Sequence, residues 1–213
     1  MASRLTRLVR DPSPPSGDAP LLILLHGLGS DERDLMGLAP ELDPRLRVVT
    51  LRAPHPWMQG GYAWFNLEWD DEGIHIDAAQ VVASLELLVS EILAVTAELR
   101  PRHLFLGGFS QGAVMTLGVT LRRPDIFTGS LLLSGTHVPE LFVGADPAVA
   151  DVPFLIQHGL YDPVLPVAEA RTMRDAVTAM GSPVDYREYP MGHEVSYASL
   201  RDAKQWLASR AFG

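Results

Sequence analysis

Residues 103–121 read HLFLGGFSQGAVMTLGVTL, and their pattern is the strongest indication of the fold class. The run His103–Gly108 is short, apolar and closed by two glycines, which predicts a buried strand. The run Ala113–Leu121 has the apolar spacing of a helix. Between them, Ser110 has a glycine two residues before it and another two residues after it, the G-x-S-x-G pattern of a nucleophile elbow. We therefore predict a strained strand-to-helix turn that lifts the Ser110 hydroxyl above a sheet.

Other short apolar runs alternate with helical patterns along the chain. The predicted strands are Leu21–Leu25, Leu46–Leu51, Gly129–Gly135, Pro153–Gly159 and the more polar Val184–Pro190, which we place near an edge. The remaining predicted helices are Val81–Leu99, Val167–Met180 and Val195–Ala208. This alternation predicts an α/β fold in which a mostly parallel sheet carries helices on both faces. In such sheets, functional sites lie beyond the carboxyl ends of the strands.

The longest predicted helix has clear boundaries. Asp77 suits an N-cap, and the pair Arg100-Pro101 suits a helix end. Ser84, Glu91 and Glu98 fall on a different face of this helix from the apolar residues, and we predict that this face is polar. The acidic residues within this run argue against a membrane span, and the apolar run Leu21–Leu25 is too short for a signal peptide. We expect a cytoplasmic protein without stable membrane insertion.

Composition limits the classes of function. The 213 residues predict one domain over residues 1–213, and 47% of them are hydrophobic. A formal net charge of −9 argues against nucleic acid as a partner. The chain has no cysteine, which excludes disulfides, thiolate metal sites and a cysteine nucleophile. No group of His, Asp and Glu has the spacing of a metal site.

A serine nucleophile needs a base, which is usually a histidine held by a carboxylate. When the elbow lies on a parallel α/β sheet, the acid and the histidine follow the serine in that order. His193 lies in a short loop after the last predicted strand, and Asp162 lies in a turn after the strand that ends at His158. We predict a triad of Ser110, Asp162 and His193. His26 and His158 we interpret as histidines that bind neighbouring loops.

Two backbone N–H groups are candidates for stabilising negative charge near the serine. Gln111 opens the helix that follows Ser110, so its N–H points at charge developing there. Leu28 follows an HG-type loop after an early strand, where the second donor is usually found. The same loop has glycines at positions 27 and 29, but Glu32 replaces the third glycine of a dinucleotide-binding motif.

A segment rich in aromatic residues supplies candidates for the wall of the pocket. It runs from Ala53 to Trp69 and has too much glycine and proline for a helix. Trp64 and Phe65 are assigned to the wall of an acyl pocket, with packing over the sheet edge as an equal alternative. Leu165, which follows Asp162 by three residues, is assigned to the same pocket.

Six segments together resemble a known family. They read LLHGLGSDERDL, LRAPHP, GGYAWFN, GFSQGAVM, HGLYDPVLP and YPMGHEVS, and they span the chain from Leu24 to Ser196 in order. In these segments the chain resembles the bacterial carboxylesterases of the phospholipase/carboxylesterase family, which also includes acyl-protein thioesterases. The resemblance implies an α/β-hydrolase fold with little or no lid domain and no cofactor.

The resemblance also implies roles for individual residues. It makes Ser110 the nucleophile, Asp162 the acid and His193 the base, with Leu28 and Gln111 as oxyanion donors. It implies small carboxylic esters as substrates, and sometimes lysophospholipids or acyl thioesters. These implied roles agree with those inferred from the spacing of the residues.

We therefore predict a serine carboxylesterase that cleaves short- to medium-chain carboxylic esters through an acyl-enzyme. The net negative charge favours neutral acyl esters over anionic ones. An acyl thioesterase or lysophospholipase with the same triad stays open, as do a non-catalytic binding module and a metal-dependent hydrolase. The expected partner is a small-molecule ester, and a homodimer also stays open.

Overall fold

The computed structural model describes residues 5–70 and 73–213 of the chain. Its strands are β1 (Arg7–Arg10), β2 (Leu21–Leu25), β3 (Arg47–Leu51), β4 (His55–Pro56), β5 (Tyr62–Ala63), β6 (Leu67–Asp70), β7 (Gly73–Ile76), β8 (Leu104–Phe109), β9 (Gly129–Leu133), β10 (Phe154–Gly159) and β11 (Val184–Tyr189). Its helices are α1 (Ala78–Leu99), α2 (Gln111–Arg122), α3 (Val167–Ala179) and α4 (Tyr197–Ala211).

A seven-stranded sheet forms the centre, in the order β1-β3-β2-β8-β9-β10-β11. Strand β1 pairs antiparallel with β3, and every other pair in this sheet is parallel. The mostly parallel sheet predicted from the sequence is confirmed. Between β3 and α1 the chain forms two antiparallel hairpins, β4–β5 and β6–β7.

Helices cover both faces of the sheet. The alternation of side chains along β2 sends Leu21, Ile23 and Leu25 into one apolar cluster with side chains of α1, α2 and α3. Leu22 and Leu24 point to the other face, where they join side chains of α4 and of the 3₁₀ helix Leu35–Glu41. Because both faces are covered, all five residues of β2 are buried, which explains its continuous apolar sequence.

Strand β11 lies at one edge of the sheet, as its polar sequence predicted. Its residues are half-buried from Val184 to Glu188 because β10 is its only strand neighbour in the sheet. From β8 to β11, the strands lie side by side in sequence order, ending at this edge. The loops after β8, β10 and β11 therefore emerge along the same carboxyl edge.

Helix α1 has the boundaries predicted from the sequence. The Asp77 carboxylate accepts a hydrogen bond from the Gln80 N–H at 3.0 Å, and Arg100 ends the helix in the left-handed conformation with φ 46°. The prediction of a polar face is confirmed for Glu98, which is exposed, but was wrong for Ser84 and Glu91, which are buried. Ser84 Oγ donates to the Trp64 carbonyl at 2.5 Å, and Glu91 accepts from the Leu5 N–H at 3.4 Å.

Within the described ranges, α1 is also the one helix long and apolar enough to cross a membrane by length and composition. The acidic residues that argued against a membrane span in the sequence therefore do not, by length and composition alone, rule out that α1 is one. However, its side chains at Val81, Leu85, Leu88 and Ile92 are buried in the same cluster as those of α2. Packing in the core accounts for its apolar face.

Candidate active site

The carboxyl edge of the sheet brings together three residues that are far apart in sequence. Ser110 follows β8 directly, Asp162 lies in the loop after β10, and His193 lies in the loop after β11. The Nε2 atom of His193 is 3.0 Å from Ser110 Oγ, and its Nδ1 atom is 2.7 Å from Asp162 Oδ2. A carboxylate only accepts, so the His193 proton resides on Nδ1 and Nε2 is free to accept from the serine hydroxyl.

Backbone strain at the elbow exposes the serine. Ser110 has φ 54° and ψ −118°, a conformation that residues with a side chain rarely adopt. The two flanking glycines are required by close backbone contacts. A Cβ atom at Gly108 would lie 2.2 Å from the Gly112 carbonyl oxygen, and one at Gly112 would lie 2.1 Å from the Leu25 carbonyl oxygen. The turn therefore tolerates no side chain at either position.

Asp162 is held by several donors. Its Oδ1 atom accepts hydrogen bonds from the N–H groups of Val164 at 2.9 Å and Leu165 at 2.8 Å. Burial alone would raise the pKa of this carboxyl group, but the bonds from Leu165, His193 and Val164 outweigh it and hold the pKa below its usual range. The carboxylate therefore stays ionised beside His193.

A second histidine contacts the same carboxylate. His158 is fully buried, and its Nε2 atom lies 2.8 Å from the Leu165 carbonyl oxygen and 3.3 Å from Asp162 Oδ2. Because both neighbours are acceptors, Nε2 carries the proton and donates to them. The sequence predicted the bond to a neighbouring loop but not the contact with Asp162. The other loop histidine, His26, accepts from the Ala53 N–H at 3.0 Å, as expected for a structural role.

Leu28 and Gln111 lie beside Ser110 in one cavity. Gln111 opens α2, so its N–H is among those that a helix leaves without an internal acceptor. The Leu28 N–H has no backbone acceptor in the part of the chain that the structure describes. Both groups are therefore available to an oxyanion, although the donor role of each stays a prediction.

The loop that carries Leu28 is tied to the β4–β5 hairpin. The Gly29 N–H donates to the Tyr62 carbonyl at 2.9 Å, and the Tyr62 N–H donates to the Ser30 carbonyl at 2.9 Å. Arg52 adds a further tie, because its guanidinium binds Glu32 at 2.6 Å and the Tyr62 hydroxyl at 3.2 Å. The hairpin thus fixes the position of the Leu28 peptide.

The cavity above Ser110 has a volume of about 320 Å³, and we call it the acyl cavity. Phe65 and Leu165, two of the three residues assigned to the pocket from the sequence, line it. The other lining residues are Leu28, Leu67, Ile76, Ser110, Gln111, Val114, Thr136, Val138, Val164 and His193. Apolar side chains therefore form most of the wall around Ser110.

The assignment of Trp64 to the pocket wall was wrong. Its side chain is fully buried and does not line the acyl cavity. Instead, its Nε1–H donates to the His26 carbonyl at 2.9 Å. The Trp64 N–H donates to Gln111 Oε1 at 2.8 Å, and Gln111 Nε2 donates to the Phe65 carbonyl at 2.7 Å. Trp64 thus anchors the segment that places Phe65 in the wall.

A metal site was one of the alternatives considered from the sequence. Among the residues described, no group of three or more His, Cys, Asp and Glu side chains is placed to hold a metal ion.

Comparisons with known proteins identify the family of this chain. The sequence matches the model of a family described as phospholipase/carboxylesterase over residues 12–210. Acyl-protein thioesterase 1 of Kluyveromyces lactis is 28% identical over 207 residues, which cover 88% of this chain and 90% of the relative. Acyl-protein thioesterase 1 of Saccharomyces cerevisiae is 30% identical over 162 residues, which cover 68% of this chain and 71% of the relative.

Solved structures of esterases have the same fold. The crystal structure of esterase PE8 matches with a TM-score of 0.85 and 27% identity, over 97% of this chain and 99% of that chain. A Bacillus cereus carboxylesterase matches with a TM-score of 0.83 and 19% identity, over 98% of this chain and 95% of that chain, which shows the fold alone. The α/β-hydrolase fold predicted from the sequence is confirmed.

Proposed function

The chain belongs to the phospholipase/carboxylesterase family, and from that premise we propose that it hydrolyses short- to medium-chain carboxylic esters through an acyl-enzyme on Ser110. It is a serine hydrolase. The observation that carries the proposal is the continuous contact from Ser110 Oγ to His193 Nε2 at 3.0 Å and from His193 Nδ1 to Asp162 Oδ2 at 2.7 Å. This is the arrangement that activates a serine hydroxyl.

In the first half of the reaction, Ser110 Oγ forms a bond to the ester carbonyl carbon while its proton passes to His193 Nε2. The carbonyl oxygen becomes an oxyanion and accepts from the N–H groups of Leu28 and Gln111. The carbon–oxygen bond to the alcohol then breaks, and His193 returns the proton to the departing oxygen. Asp162 stabilises the imidazolium in between, because its lowered pKa keeps it ionised.

In the second half, water attacks the acyl-enzyme and gives its proton to His193. The same two N–H groups bind the new oxyanion. The bond between the acyl carbon and Ser110 Oγ then breaks, and His193 returns the proton to the serine. One ester and one water thus yield one acid and one alcohol, and the enzyme is restored.

The two parts of the substrate have different surroundings. The apolar acyl cavity holds the acyl group, and its volume of about 320 Å³ suits a chain of modest length. A separate cavity of about 290 Å³ also reaches His193 and is lined in part by Phe109, Leu38 and Asp34. We assign the alcohol to this second cavity, because the departing oxygen must stay within reach of His193 Nε2.

An acyl thioesterase with the same triad is the second candidate. It is favoured by relatives named acyl-protein thioesterase 1, to which this chain is 28% and 30% identical. Both reactions proceed through the same acyl-enzyme and differ in whether an alcohol or a thiol departs.

Hydrolysis of p-nitrophenyl esters from acetate to palmitate tests the proposal, with Ser110→Ala and a serine-directed phosphonate as controls. We expect turnover to peak at short or medium chains, and we expect both controls to abolish it. Turnover that persists in pure Ser110→Ala protein would refute the assignment of the nucleophile. If Ser110 takes up the phosphonate but no oxygen ester is cleaved, the matching acyl thioesters test the second candidate.

A further inference from the structure

A third cavity adjoins the acyl cavity. Its volume is about 360 Å³, and it shares two lining side chains, Ile76 and Val138, with the acyl cavity. We call it the distal cavity and define it by these two residues together with Val82, Arg122, Glu140 and Leu141. A chain that starts at Ser110 and fills the acyl cavity would enter the distal cavity over Ile76 and Val138.

Arg122 contributes a positive charge to the distal cavity. Helix α2 has 12 residues and begins directly after Ser110, so it is about 18 Å long and ends at Arg122. The side chain turns back along the helix, and its Nη1 donates to the Gly118 carbonyl at 3.0 Å. The guanidinium therefore lies about one turn before the end of the helix. Measured along the helix axis, it is about 12 Å from the end of α2 that follows Ser110.

The Arg122 guanidinium has no carboxylate partner within 4.0 Å in the described part of the chain. Its neighbour Arg123 differs, because it forms two bonds of 2.8 Å with the Asp125 carboxylate. Arg122 is half-buried, and a cation that is partly removed from water without a counter-ion is unfavourable. An anionic ligand in the distal cavity would relieve that cost.

The rest of the distal cavity limits what such a ligand can be. Val82, Val138 and Leu141 supply apolar wall, so the approach to Arg122 suits hydrocarbon. Glu140 also lines the cavity and is exposed, and its negative charge opposes binding of an anion. The ligand must therefore place its charge at the guanidinium and its hydrocarbon along the wall.

We propose that the distal cavity is a subsite for a carboxylate at the far end of the acyl group. This inference rests on the proposed function, and it names half-esters of dicarboxylic acids as a substrate class. The axial distance of about 12 Å is the least that the acyl chain must span, and with C–C bonds of about 1.5 Å it requires roughly eight to ten carbons. The net negative charge favours neutral esters, but the local charge at Arg122 favours this one class of anionic ester.

The guanidinium has the donors to bind such a carboxylate. It carries five N–H groups, and the hydrogen bond to the Gly118 carbonyl uses one of them. The remaining groups can form a charge-assisted pair of hydrogen bonds with the two carboxylate oxygens. Shorter half-esters would leave their carboxylate in the apolar acyl cavity, where no Lys or Arg lines the wall among the described residues.

The test compares monoethyl sebacate with ethyl decanoate, a neutral ester of the same acyl length. Rates are measured by pH-stat titration of the acid released. The quantity compared is the kcat/KM for monoethyl sebacate divided by the kcat/KM for ethyl decanoate. We expect Arg122→Gln to lower this ratio about tenfold, because hydrogen bonds to a charged group are lost only for the half-ester. Arg123→Gln is the matched control, and we expect it to leave the ratio unchanged because Arg123 is already paired with Asp125.

Two further comparisons sharpen the test. Glu140→Gln removes the opposing charge and should raise the ratio. Monoethyl succinate is too short to reach Arg122. Its kcat/KM relative to that of ethyl butyrate should therefore be the same in the wild type and in Arg122→Gln. A ratio that Arg122→Gln does not lower, in protein that still cleaves ethyl decanoate, would overturn the subsite. If the wild-type enzyme cleaves neither neutral nor charged esters, the proposed function itself fails.

Discussion

Asp162 Oδ2 lies between two imidazole rings, 2.7 Å from His193 Nδ1 and 3.3 Å from His158 Nε2. His158 also donates to the Leu165 carbonyl at 2.8 Å, and the Leu165 N–H donates to Asp162 Oδ1 at 2.8 Å. Asp162, the predicted acid of the triad, is thus held by a closed set of hydrogen bonds. His158 does not line the acyl cavity, so we expect it to act only by positioning Asp162.

We expect His158→Leu to lower kcat about tenfold and to leave KM nearly unchanged. Leucine removes the donor to Asp162 and leaves the Leu165 carbonyl without its partner, so the carboxylate is held less firmly against His193. His158→Gln is the matched variant, because its Nε2 donor can restore part of the loss. The NMR signal of the His193 Nδ1 proton reports the geometry directly and should shift in the leucine variant. An unchanged signal together with an unchanged kcat would contradict the positioning role.

Asp162→Asn should fold and lose about 10⁴-fold in kcat, because an asparagine amide in that position favours the wrong histidine tautomer.

The same variant tests the lowered pKa of Asp162. A carboxyl group whose pKa is lower in the folded state stabilises the fold above its unfolded pKa, and this stability is lost as the pH falls through the folded value. We therefore expect the difference in unfolding free energy between the wild type and Asp162→Asn to be larger at neutral pH than in acid. Denaturant titrations at several pH values measure this difference, and a gap that widens in acid would contradict the assignment.

Turnover should fall as the pH is lowered, because a histidine base must be neutral to take up a proton. His193 must accept the Ser110 proton at Nε2, and a ring already protonated there cannot act as the base. Asp162 does not contribute to this loss, because its pKa lies below the usual range and it stays ionised throughout. Initial rates with p-nitrophenyl butyrate, corrected for the ionisation of the product, measure the profile. A flat profile would rule out a histidine base.

The features that the sequence predicted are those that depend on neighbouring residues. Strand β2 is a run of apolar residues because both of its faces are covered, and the elbow needs glycines within two residues of Ser110. Asp162 and His193 could be placed because each follows a strand end, and strand ends of a parallel sheet share one edge.

The features that the sequence did not predict depend on contacts between distant segments. Trp64 lies in a segment without helix or strand periodicity, where an aromatic side chain suits the core as well as a pocket. The distal cavity combines Ile76, Arg122 and Glu140, which come from three separate segments. Glu91 is a charged residue on a buried helix face, and hydrophobic periodicity places such a residue outside.

The predicted oxyanion donor at Leu28 is a backbone N–H and cannot be removed by changing the side chain, but Gly61→Ala should displace it. A Cβ atom at Gly61 would lie 2.0 Å from the Gly29 carbonyl oxygen, so the loop that carries Leu28 must move. Losing one oxyanion donor typically costs about 3 kcal/mol, so we expect kcat to fall by roughly 10² to 10³. Gly37→Ala is the control, because a Cβ atom there meets nothing within 4 Å. The measurements are kcat and the melting temperature of both variants. A Gly61→Ala enzyme that loses stability but retains its full kcat would contradict the role of the Leu28 N–H.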